Sequence, residues 1–209
     1  MVPESTDIDA AGTGRPTPGN PRPDRPSSVL ADLDVSDGRD VRCSVGLGIG
    51  HCVIAWGFVV FIAKEEAFDP EEMLTLYASV GWEGYTRDVE KLCRGLLNSH
   101  LVITARDSAG TLLGLARTIS DDEHICYVQD VVVNPDHHRQ GIGRALIEDL
   151  MPRYSHCRFF LLSTDHESSP EGKRNHAFYR SLGFLSYEEK EMAGFGLPRN
   201  RPDLRETAP

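Results

Sequence analysis

Residues 128–150 read VQDVVVNPDHHRQGIGRALIEDL, and this stretch restricts the fold more sharply than any other. The β-branched run Val131-Val132-Val133 predicts a strand buried on both faces, ending at Pro135. A polar loop follows, then Gly141 and Gly143. Apolar residues then recur at helical spacing, with Ala145, Leu146, Leu150 and Met151 facing inward. Strand, Gly-rich loop and helix in that order aim the free N–H groups of a helix's first turn at the loop, which makes an anion site. The glycines keep side chains away from approaching oxygens, and Arg139 and Arg144 add charge. Two phosphate motifs are excluded. A Walker loop needs Gly-Lys-Ser/Thr where Arg144-Ala145 stands, and a dinucleotide fingerprint needs Gly or Ala where Leu146 stands.

The rest of the chain supplies elements around this junction. DPEE at 69–72 predicts a helix start, with Asp69 as cap, Pro70 at the first position and Glu72 closing a capping box. Met73, Leu74, Leu76, Tyr77 and Val80 form its apolar stripe, and Gly81 ends it. A second helix near 87–98 turns Val89, Leu92, Leu96 and Leu97 inward. Residues 101–120 predict a hairpin about a turn at Asp107–Gly110, and the strand carrying Val131–Val133 follows. After the helix come a buried strand, FFLLST, and a short helix, KRNHAFYRSLGF, stopped by Gly183. A last strand is expected around 184–192. The order is β-α-α-β-β-β-α-β-α-β.

Residues 1–42 are rich in Pro, Gly, Asp and Arg and poor in apolar side chains, which predicts disorder. Val45–Ala63 is an apolar run approaching the length of a bilayer span. Its glycines, His51 and a Val/Ile/Phe bias in its second half favour a Gly-rich approach to a first strand at 57–64, with a membrane segment as the alternative. A second Gly-Ile-Gly, at 48–50, fails the same two phosphate tests and has no predicted strand before it. The domain is therefore set at 57–195, with residues 1–56 as a loose extension and 196–209 as a loose tail.

The 138–143 stretch, His-Arg-Gln-Gly-Ile-Gly, resembles the acetyl-CoA-binding motif of the GCN5-related N-acetyltransferase (GNAT) superfamily, Gln/Arg-x-x-Gly-x-Gly/Ala, with His138 in place of the first Gln or Arg. AFYRSLGF at 177–184 is similar to the family's second signature, and both lie in family order and at family spacing. The resemblance covers about residues 58–192. It implies an α/β (α+β) GNAT fold: a central mixed, mostly antiparallel sheet with splayed strands and flanking helices. It implies acetyl-CoA as co-substrate and transfer to a primary amine by direct attack in a ternary complex. A non-catalytic acyl-CoA-binding module and a membrane-anchored acetyltransferase are the alternatives.

The resemblance also distributes roles. Val131 and Val133 lend backbone groups to the pantetheine arm, and the N–H groups of Arg139, Gln140, Gly141, Ile142, Gly143 and Arg144 hold the pyrophosphate. The strands at 127–133 and 159–164 splay apart. Tyr179 matches the tyrosine that protonates the departing thiolate, and the Val131 N–H meets the oxyanion. The base stays open between Gln129 ordering a water, Asp130, Asp165 and a water chain. Strand alternation puts Asp130 on the face opposite Tyr127, Gln129 and Val131. Trp82 and Tyr85, in VGWEGYT, are the candidate acceptor wall. The region is also similar to family members that acetylate arylalkylamines.

A net charge of −10 speaks against a general nucleic-acid binder and suits an amine. A small-molecule amine is preferred to a protein acceptor. Five scattered cysteines without a Cys-x-x-Cys pair point to reduced thiols in the cytoplasm, and eight histidines show no metal-ligand spacing, so no metal is expected. Dimers are common in the family, which leaves a homodimer open.

Overall fold

A computed structural model describes residues 33–36, 40–43, 50–55 and 58–197 of the chain. Eight strands form one sheet among the described residues, in the order of the sequence: β1 (Leu33–Ser36), β2 (Asp40–Cys43), β3 (Gly50–Ala55), β4 (Phe58–Lys64), β5 (Leu101–Arg106), β6 (Leu112–Ser120), β7 (Ile125–Val133) and β8 (Phe159–Leu162). Every neighbouring pair is antiparallel except β7 and β8. The β5–β6 turn is closed by Asp107, whose Oδ1 accepts from Ala109 N at 2.9 Å and Thr111 N at 2.8 Å. Gly110 there has φ +84°, a left-handed position that favours glycine.

Helices α1 (Pro70–Ser79) and α3 (Val89–Leu97) cover one face. Met73, Leu76, Tyr77, Leu92 and Leu96 pack there on Val102, Leu115 and Val132. Between them Glu83–Thr86 forms a single turn, α2. Helix α4 (Ile142–Arg153) covers the other face, seating Ile142, Leu146, Ile147 and Leu150 on Val60, Ile103, Cys126 and Val128. As the crossover between β7 and β8 it makes that pair parallel. Helix α5 (Pro170–Ser181) completes this layer, with Tyr179 and Leu182 packed at its edge.

Several expectations are corrected. For the apolar run at 45–63 the strand expected at 57–64 is found and the membrane alternative falls over the described residues, which form β3 and β4, paired from Gly50↔Ala63 to Ala55↔Phe58. Its β-branched residues suit a pleated surface, and Cys52, Val60 and Ile62 are core residues. No described helix is long and apolar enough to cross a membrane. The loose extension is likewise replaced, over its described parts, by β1, β2 and β3; residues 1–32 lie outside the described residues. A strand, β2, thus does precede the first Gly-Ile-Gly, but Gly50 opens a further strand and not a helix. The tail beyond Leu197 also lies outside the described residues.

Residues 184–192 form turns where a strand was expected. Ser186 N–H donates to Glu189 Oε2 at 2.7 Å, and Arg180 pairs with Glu189 at 2.8 Å, so the charged run closes on itself instead of alternating. Glu72 closes no capping box but pairs with Arg106 at 3.0 Å, while Asp69 caps Glu71 N. Leu74, Leu97 and Met151 are exposed because each falls one step off its helix's buried stripe. The Val131–Val133 run is not buried on both faces: Val132 is buried, whereas Val131 and Val133 are half-buried.

One packing point is directly testable. A Cβ on Gly172, in the first turn of α5, would overlap the backbone carbonyl of His166. Gly172→Ala is expected to destabilise the fold by about 1–3 kcal/mol, read as a lower urea midpoint.

Candidate active site

The site starts where β7 ends. Asn134 Oδ1 accepts from Asp136 N at 3.0 Å, forming a 3-10 turn at Pro135–His137. The backbone then passes through φ +62° at Arg139 and +83° at Gly141, and α4 begins. Asp69, Asp88 and Ser169 cap α1, α3 and α5 with side-chain oxygens, whereas α4 has no side-chain cap and no acid in its first turn. Its first backbone bond runs from Ala145 N–H to Gly141 O at 2.9 Å. The N–H groups at its start are therefore available to an anion, with the positive end of the helix dipole behind them.

The predicted loop residues divide by what their side chains do. Ile142 is buried and anchors the helix start, so only its backbone faces the loop. Gly143 packs against Phe178 and Val133. Arg144 pairs with Glu148 at 3.0 Å and donates to Ser181 Oγ at 2.8 Å, tying α4 to α5. Arg139 is exposed and Gln140 half-buried at the rim. His138, the departure from the family motif, places Nε2 2.9 Å from the Val133 carbonyl oxygen. That contact has no signature in the sequence.

The edge of β7 opens beside this loop. The β7–β8 ladder runs from Ile125↔Phe159 to Val128↔Leu162 and stops, while β7 continues to Val133. Asn134 N–H donates to Leu113 O on β6, so by backbone alternation Val131 and Val133 turn their N–H and C=O groups away from β6, toward the open side. The strands therefore separate beyond Val128, which is the splay that the family resemblance implies.

A bulge marks the separation. Arg117 pairs with Asp130 and Thr118 with Val128, so Gln129 is an extra residue on β7. Before the bulge, Cys126 and Val128 pack on the α4 side; beyond it, Val132 packs on the α1–α3 side. The extra residue exchanges the two faces. Strict alternation across 127–131 thus fails, and Asp130 comes to the side of Tyr77 and Tyr85.

A cleft of about 330 Å³ lies in the opening, lined by Trp82, Val128, Gln129, Val131, Ser163, Thr164, Asp165, Asn175 and Tyr179. Tyr179 is held edge-on by Phe178 at 5.0 Å and Phe184 at 5.7 Å, and burial pushes its hydroxyl up to about 12. Asp165 is exposed at the rim; its carboxylate accepts from Asn175 Nδ2 at 3.5 Å, and His176 Nε2 lies 3.1 Å from its carbonyl oxygen.

Asp130 does not line the cleft. It is 2% exposed and accepts from Arg117 Nε at 2.6 Å, Tyr77 Oη at 2.9 Å and Tyr85 Oη at 2.9 Å. Burial and the Asp130 charge push both tyrosines up. Tyr85 lies behind the cleft wall, accepting from Gln129 Nε2 at 3.2 Å, and Trp82 packs on it at 5.8 Å while facing the cleft. The geometry therefore brings together Trp82, Gln129, Val131, Asp165 and Tyr179, and sets Asp130 and Tyr85 in a supporting layer. Ser163, Thr164 and Asn175 were not singled out by sequence. The signal for Arg117 was available: an arginine within an apolar strand calls for a buried carboxylate partner.

Residues 98–185 match a family model described as an acetyltransferase (GNAT) domain. An acetyltransferase of the GNAT family from Streptococcus pneumoniae is 30% identical, with a TM-score of 0.57 over 66% of this chain and 96% of that one. A chloroplastic serotonin N-acetyltransferase of Oryza sativa is 30% identical over 64% of each chain. A histone acetyltransferase of Glycine max is 30% identical over 63% of this chain and 58% of its own length.

Proposed function

The chain belongs to the GNAT acetyltransferase family, and from that premise we propose that it moves the acetyl group of acetyl-CoA to a primary amine by direct attack in a ternary complex. The observation that carries the reading is the uncapped start of α4 beside the open edge of β7, with Tyr179 in the same cleft. Acetyl-CoA fits these residues. The N–H groups from Arg139 to Arg144 would hold its pyrophosphate, and the backbone of Val131 and Val133 its pantetheine arm. The thioester supplies the activated acyl group.

The chain's own contribution is placement and charge stabilisation. The amine attacks in its neutral form, so its proton leaves by Asp165 at the rim or by water. The Val131 N–H, directed to the open edge, donates to the oxygen as it becomes an oxyanion. Carbon–sulfur cleavage then releases the acetamide and a thiolate. Tyr179 points its hydroxyl at that charge. Burial that raises the Tyr179 hydroxyl raises a thiol in the same cleft as well, so the phenol keeps its proton until the thiolate forms and then acts as its general acid. Tyr179→Phe is expected to lower kcat about 10- to 100-fold with acetyl-CoA affinity unchanged, by steady-state kinetics and calorimetry.

The relatives' names point to both a small amine and a protein as acceptor. We favour a small amine, since Trp82 offers an apolar wall and Asp165 a carboxylate within one narrow cleft. The reading carries a cytoplasmic location with it. A panel of amines (2-phenylethylamine, tryptamine, spermidine and a lysine peptide) assayed with acetyl-CoA for released thiol is the test. Turnover is the expected result. Acetyl-CoA binding without turnover on any amine would make the chain a binding module.

A further inference from the structure

The direction of every hydrogen bond behind the cleft wall is fixed by one carboxylate. Asp130, paired with Arg117, takes each of these bonds as acceptor: Tyr77, Tyr85 and Arg117 all donate to it. Tyr85 has a single hydroxyl proton, and it is spent on Asp130. Whatever else meets the Tyr85 oxygen must donate to it. Arg117 Nη2 does so at 3.4 Å, and Gln129 presents its amide nitrogen at 3.2 Å. The Gln129 amide therefore has no freedom to turn over: with its NH2 group held by Tyr85, its carbonyl Oε1 is aimed the other way. Gln129 lines the cleft, and among the described residues no group donates to Oε1, which leaves it for a donor that enters the cleft. The bulge adds the last element, because Gln129 is the extra residue, set at the point where β7 and β8 part.

We infer that Gln129 orients the acceptor: its side-chain carbonyl accepts an N–H bond from the primary amine, and the Asp130–Tyr85 chain fixes that carbonyl's direction. The inference rests on the acetyltransferase reading above. A neutral acceptor suits the task for a chemical reason. A carboxylate at this position would favour the ammonium ion, whose lone pair is occupied, whereas an amide carbonyl binds an N–H of the neutral amine without adding a charge that favours its protonation. Gln129 thus favours the ammonium ion less than a carboxylate would and leaves the amine's lone pair free for the thioester. Tyr85 acts through Gln129 and is a positioning residue.

The test uses the full chain with whichever of 2-phenylethylamine, tryptamine and spermidine it turns over fastest. Gln129→Glu is expected to lower kcat about tenfold at pH 7 and to move the acidic limb of the kcat profile up by about one pH unit, with wild-type kcat regained at high pH. Its KM for the amine stays level or falls, the reverse of structural damage. Gln129→Leu removes the acceptor without adding charge and is expected to raise amine KM about three- to tenfold with an unshifted profile. Tyr85→Phe, which leaves the amide free to turn, raises amine KM in the same direction. Acetyl-CoA affinity by calorimetry stays within about twofold in all three, the spread a neutral substitution leaves. A Gln129→Glu profile superimposable on wild type, or a Gln129→Leu variant that loses acetyl-CoA affinity along with the amine, overturns the inference while leaving the acetyltransferase standing. A wild-type chain that binds no acetyl-CoA overturns both.

Discussion

Gly143→Glu is expected to weaken acetyl-CoA binding at least about a hundredfold, close to 3 kcal/mol, with the fold retained. A Cβ at Gly143 meets only Phe178 and Val133, at 3.5 and 3.7 Å, which is ordinary contact. The backbone there is helical and needs no left-handed conformation, so the helix can accept a side chain. The added carboxylate would sit in the first turn of a helix whose unpaired N–H groups and positive dipole end are its means of holding a diphosphate. It would satisfy those donors from within and repel the ligand's charge. Calorimetric titration with acetyl-CoA reads the loss, and the urea midpoint checks the fold. An affinity unchanged within error would mean that α4 does not hold the pyrophosphate. Gly141 is the less informative target, because its φ of +83° makes any side chain strained whatever the ligand does.

Asp130→Ala is expected to cost about 3–5 kcal/mol of folding stability, the usual loss when one member of a buried ion pair is removed. Three donors converge on this carboxylate, and two of them, the Tyr77 hydroxyl and the Arg117 guanidinium, sit where water has little access. Without Asp130, Arg117 keeps its charge in a low-dielectric setting, with weaker contacts to Gly95 O and Ser99 Oγ, both at 3.4 Å. Equilibrium denaturation in urea measures the loss. The double variant Asp130→Ala/Arg117→Met should recover part of it, since it removes the stranded charge as well. A single variant as stable as wild type would show that the pair carries no net stabilisation.

Sequence alone gave access to what depends on local pattern. The strand–loop–helix junction, the hairpin at 101–120, the caps at Asp69 and the stop at Gly183 all follow from residue type and spacing over a few positions. The splay between β7 and β8 came through resemblance, and the ladder between them ends at Val128↔Leu162 while β7 runs on. What escaped depends on pairing across the chain. The bulge at Gln129 is defined only against β6, and no property of the pentapeptide VQDVV announces it. Asp130 was weighed as a base because an acid beside a cleft strand suggests chemistry. Its burial beside Arg117, 13 residues earlier, becomes visible only once the two strands are in register. The strand expected at 184–192 failed for a related reason: Glu189 is committed to Ser186 and Arg180.

The bulge also bears on which changes of length this strand absorbs. Gln129 is the residue that β6 leaves unpaired, so deleting it would join Val128 directly to Asp130 and restore a regular ladder, with Thr118↔Val128 and Arg117↔Asp130 both kept. Val132 would stay toward α1 and α3, and Val131 and Val133 toward α4. The core therefore accepts a one-residue loss at 129, and what that loss removes is an amide from the cleft wall and the local kink of β7. The extra residue serves the cleft, not the fold.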